Sequence, residues 1–70
     1  MDLTVALMKI EKEQRQEVNK TSKRPCSQER LWALSNHQYV LRIMEGMKTE
    51  PERWKDTAVS LAKSFGYSVH

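Results

Sequence analysis

The segment Thr49-Glu-Pro-Glu-Arg-Trp-Lys-Asp-Thr-Ala-Val-Ser-Leu-Ala-Lys-Ser-Phe-Gly66 is written as a helix with a start, one apolar face and a stop. Thr49 and Glu52 have the spacing of a capping box, in which a hydroxyl and a carboxylate satisfy each other's orphan N–H groups. Pro51 fits a first turn whose N–H groups have no helical partner, and Glu50 and Glu52 complement the positive end of the helix dipole. Trp54, Ala58, Leu61, Ala62 and Phe65 recur on a single stripe. Gly66 can adopt the left-handed conformation that ends a helix. A chain that carries this segment must build its core from helices.

Length then limits how such a core can be stabilised. The chain has 70 residues, enough for one domain near the lower limit for independent stability. Cys26 is the only cysteine, so no disulfide can form within the chain, and a lone thiol suits a reducing compartment. The N-terminus lacks the basic start and long apolar centre of a secretory signal and is too short in apolar residues to span a bilayer. A soluble, cytoplasmic protein is expected, stabilised by regular helix packing or by a second subunit. The formal charge of +3 permits nucleic-acid binding without arguing strongly for it.

With two glycines, two prolines and no alternating strand pattern, the whole of residues 1–70 reads as a single all-α domain. Three helices are expected near residues 3–19, 28–48 and 50–65. A fourth arises if Ser35-Asn-His-Gln38 acts as an internal cap. In the first helix Leu3, Ala6, Leu7 and Ile10 share a face, after which Glu13, Gln14 and Glu17 occupy its positions. This helix is expected to dock by its first half and to project its second half, or to mediate oligomerisation. Residues 20–26 read as a linker. Pro25 biases Arg24 away from helix, Ser27 is the next N-cap, and Cys26 and Leu31 have the spacing of a hydrophobic staple.

The middle segment has more apolar surface than one helix needs. Trp32 aligns with Tyr39 and Ile43, whereas Leu31, Leu34 and Leu41 line the other side, so one side must face something beyond a simple bundle. The expected core comprises Leu31, Leu34, Val40, Leu41, Ile43, Met44, Met47, Trp54, Ala58, Leu61 and Phe65. No aromatic precedes Trp32, which places this core mainly in the later part of the chain.

No combination of residues reads as a catalytic or metal-binding set. Cys26 lies beside Lys23 and Arg24 before a helix start, an arrangement that lowers a thiol pKa. Neither His37 nor His70 has a spacing that ties it to Cys26 as a base. These three residues are also too few and too irregularly spaced for zinc. A phosphate-binding glycine loop is absent, so no enzyme activity and no cofactor are expected.

Leu61-Ala-Lys-Ser-Phe-Gly-Tyr-Ser68 resembles the first helix and turn of a helix-turn-helix DNA-binding motif, in which an alanine and a glycine four residues later allow close helix approach. A second helix reads the major groove in that motif, and the sequence stops at His70 where it would begin. Gly66 is therefore read as an ordinary helix stop, and no family is assigned.

The expected function is that of a small regulatory or inhibitory protein, of the kind phages and plasmids encode, that binds another protein through an exposed helix face. Val5, Met8, Trp32 and Tyr39 are the expected contact residues, and a homodimer is the expected assembly. The alternative is a dimeric DNA- or RNA-binding transcriptional regulator using Lys20, Lys23 and Arg24 against phosphates.

Overall fold

The computed structural model of the protein describes residues 1–23 and 27–69. The expectations for Arg24, Pro25, Cys26 and His70 lie outside them. The described residues form three helices and no strand: α1 (Leu3–Lys20), α2 (Gln28–Thr49) and α3 (Pro51–Ser64). Asp2 caps α1 by accepting from the Thr4 N–H at 3.2 Å, and Ser27 caps α2 by accepting from the Arg30 N–H at 3.2 Å. The middle segment is one unbroken helix of 22 residues, so the three-helix form holds and the internal cap at Ser35 is not used. An N–H in mid-helix already has its carbonyl four residues back, which leaves a cap nothing to satisfy.

The corner between α2 and α3 differs from its sequence reading. Thr49 is the last residue of α2, and its hydroxyl donates to the Glu45 carbonyl at 3.2 Å. Glu50 closes α2 and opens α3, with its N–H on the Gly46 carbonyl at 2.7 Å and no side-chain cap bond. Proline disfavours helical conformation in the residue before it, so Pro51 moves the break from Thr49 to Glu50. The stop at the other end of α3 is as expected. Gly66 has φ +85. The Tyr67 N–H reaches the Ala62 carbonyl at 3.0 Å and the Gly66 N–H the Lys63 carbonyl at 2.9 Å, the paired bonds of a Schellman motif.

The core lies where all three helices meet. Ala6, Ile10, Val40 and Ala62 form one buried cluster, with Tyr67 and Val69 packed against it from the C-terminal tail. Leu7, Ile43 and Ala58 form the other, flanked by Met47 and Trp54. Ile10, Val40 and Ile43 are the largest fully buried side chains, each worth about 1.5–3 kcal/mol by removal from water. Gly46 is buried under the indole of Trp54, and a Cβ there would overlap the ring. A glycine that weakens the helix thus lets α3 turn back tightly onto α2.

Three expected core residues are outside. Leu31 and Leu41 are exposed because they lie on the side of α2 turned away from both neighbouring helices. Phe65 is exposed because the chain reverses at Gly66 and seats Tyr67 and Val69 on the core in its place. The core also draws on α1, through Ala6, Leu7 and Ile10, and not only on the later chain. The polar half of α1 does not stand clear of the bundle. It runs beside the first half of α2, with Arg30 Nη1 donating to the Ser22 carbonyl at 3.0 Å.

Candidate protein-binding surface

α3 has 14 residues against the 22 of α2. At 1.5 Å per residue that is about 21 Å against about 33 Å, so α3 cannot cover the α1–α2 pair along its length. The tail extends the cover slightly, and the Tyr67 hydroxyl donates to Glu13 Oε1 at 2.9 Å. That bond, more than burial or the nearby charge of Glu13, holds the Tyr67 phenol above its ordinary pKa of 10.0. Beyond it a groove between α1 and α2 stays open, lined by Gln14, Glu17, Ala33 and Trp32, and Trp32 is 60% exposed.

The structure places the four expected contact residues in three locations. Val5 and Met8, 42% and 57% exposed, come together with Met44 of α2 to floor a groove on the outer side of α1. Trp32 is in the open groove just described. Tyr39 borders a third groove, where α2 meets Asp56, Thr57, Ser60 and Leu61 of α3. Leu31 and Leu41, 64% and 44% exposed, extend the apolar surface of α2 between these sites. Sequence reasoning placed both leucines in the core. Its own observation that α2 has apolar residues on two opposite sides was the signal that they could lie outside.

Charge is distributed unevenly over α1. Lys9, Lys12 and Arg15 rim the Val5–Met8 groove. Glu11 lines the same groove, and the other carboxylates of the helix are engaged by neighbours. Glu11 meets His37 Nε2 at 3.3 Å and Arg15 at 3.9 Å. Glu13 accepts from Tyr67, and Glu17 from Lys20 at 3.3 Å. The three cations recur at every third position, a pattern that the net charge of the chain does not reveal.

The cations of the nucleic-acid alternative are less concentrated. Lys20 and Lys23 are exposed at the end of α1, with Lys20 paired to Glu17, and Arg24 lies outside the described residues. Among the described residues no buried side-chain polar atom lacks a hydrogen-bond partner, and no three His, Cys, Asp or Glu side chains gather as metal ligands. No described helix is long and apolar enough to cross a membrane. No protein-family model matches the chain, and no curated protein or solved structure matches it either.

Proposed function

We propose that the protein is a non-enzymatic regulatory or inhibitory module that binds another protein through the outer surface of α1 and α2. The observation that carries this reading is the exposure of Val5, Met8, Leu31, Leu41 and Trp32 on the same two helices. A chain of this size has few large apolar residues with which to build a core, so those left in water on ordered helices are better explained by a partner than by folding. Homodimerisation is the form this binding takes if the α2 leucines pair with those of a second copy, an isologous contact.

The test uses the wild-type chain and a Met8→Glu/Leu41→Glu variant as parallel baits in a host lysate. Both replaced residues are exposed, so the variant should keep its helical circular dichroism and its melting temperature. A protein retained by the wild type and lost by the variant supports the reading. Retention of the same protein by both, or recovery of nucleic acid alone, contradicts it. Sedimentation at low and high micromolar concentration separates self-association from binding to a different chain.

The nucleic-acid alternative rests on Lys20, Lys23 and Arg24. It requires retardation of DNA or RNA that weakens steeply with salt, and a Lys23→Glu/Arg24→Glu variant that binds every sequence less well.

A further inference from the structure

We infer that the groove floored by Val5, Met8 and Met44 takes an acidic amphipathic helix of the partner protein, an inference that rests on the protein-binding reading above. The floor is apolar and accessible, and the cations Lys9, Lys12 and Arg15 stand along it with one carboxylate, Glu11. On α1 these cations are spaced i, i+3 and i+6, so they advance along one side of the helix with Val5 and Met8. The exposed residues of α1 between Val5 and Asn19 also include two carboxylates, Glu13 and Glu17, which accept hydrogen bonds from Tyr67 and Lys20.

One carboxylate, Glu11, lines the groove against three cations, which leaves an excess of positive charge there, and the other two carboxylates of this stretch are engaged by neighbours. Glu13 is held by Tyr67 and Glu17 by Lys20. Glu11 is shared between His37 at 3.3 Å and Arg15 at 3.9 Å. Lys9 and Lys12 make no ion pair with any described residue. The rim is therefore a row of cations beside an apolar floor, which a helix with leucine-type residues on one face and carboxylates beside them would complement in shape and charge.

Charge also decides against the other occupants. A second copy would bring the same row against itself, with like charges opposed across the twofold axis. A lipid surface prefers apolar side chains that protrude from a broad face, whereas these three line a groove between two helices. The span from Val5 to Arg15 is about 15 Å at 1.5 Å per residue, the length of roughly three turns of a bound helix.

The test titrates the full chain, by fluorescence anisotropy, with a labelled synthetic helical peptide. The peptide has leucines at every third or fourth position and glutamates on both flanks, and its control carries lysines in place of the glutamates. The acidic peptide should bind, the lysine peptide should not, and added salt should weaken binding. Lys9→Glu/Lys12→Glu should weaken binding by about tenfold or more, while Lys55→Glu, the same charge reversal at an exposed position of α3, should leave it unchanged. Equal binding of both peptides, or indifference to the charge-reversed variant, overturns the inference. So does variant-sensitive capture by vesicles of anionic lipid without binding of the peptide. If the acidic peptide fails but Met8→Glu/Leu41→Glu still abolishes capture of a lysate protein, the partner's chemistry is refuted and protein binding stands.

Discussion

At one end of the bundle Leu7, Ile43 and Ala58 meet with no polar side chain among them, and Trp54 lies flat on Gly46. At the other end the same two long helices meet through Glu11, His37, Arg30 and the Ser22 carbonyl, with Ala33 as the buried apolar residue. The difference follows from the length of α3. Where a third helix is present, burial removes apolar surface from water on both sides of α1 and α2. Where it is absent, the pair has one face fewer to bury, and polar contacts that lose little by exposure take over. Stability is thus concentrated at one end, and the outer surface of the long helices is left uncovered.

The largest expected effect comes from removing bulk at the dry end. Ile43→Ala should cost about 2–5 kcal/mol, a large part of the roughly 4–10 kcal/mol expected for a domain of this size. Urea denaturation would register it as a fall in midpoint. A loss below about 1 kcal/mol would mean that the cluster around Ile43 is not the main source of stability.

Gly46→Ala is next and is the more discriminating. In an open helix this change gains up to about 1 kcal/mol. Here the new methyl group meets the Trp54 ring, so the variant should lose about 1–3 kcal/mol as an overpacked site does. Stabilisation would contradict the close approach of α3 to α2. The double variant Gly46→Ala/Trp54→Leu should cost less than the two single changes together, because the first replacement no longer meets an indole.

The polar end should respond weakly. His37→Ala breaks the contact with Glu11, which keeps Arg15 as a neighbour, and should cost about 1 kcal/mol or less. A thermal melt that drops as far as for Ile43→Ala would erase the distinction between the ends.

The smallest effect is that of the tail. The Tyr67 phenol is held above its ordinary pKa of 10.0 by its bond to Glu13. The folded chain therefore keeps this proton longer than the unfolded one, so the contact's contribution is complete below about pH 10 and declines as pH rises through the folded value. Ultraviolet titration of tyrosinate should show a late-ionising phenol that is missing in Tyr67→Phe.

How far the sequence revealed this arrangement depended on whether a residue's role is local. The three helices, the Ser27 cap and the Gly66 stop rest on neighbours a few positions away, and these were readable. The junction at Glu50 was misjudged because a strong capping box at Thr49 concealed the proline effect one residue later. Leu31, Leu41 and Phe65 were misplaced for a different reason. Whether a leucine on α2 is buried depends on how far α3 reaches and on which side, and helical periodicity reports neither. The packing roles of Ala33 and Gly46 were not legible, because small residues signal close helix approach only when the opposing residue is known. The surface residues Val5, Met8, Trp32 and Tyr39 were singled out as excess apolar groups, but only the fold separates them into three grooves.

Native-state hydrogen exchange tests the two-ended account most directly. Amides of residues 7–10, 40–47 and 58–62 should exchange only through global unfolding. Those of residues 14–20 and 31–36 should open locally and exchange at least about tenfold faster after correction for intrinsic rates. Uniform protection along α1 and α2, or slower exchange at the Trp32 end than around Ile43, would contradict the claim that the short third helix concentrates stability at one end of the bundle.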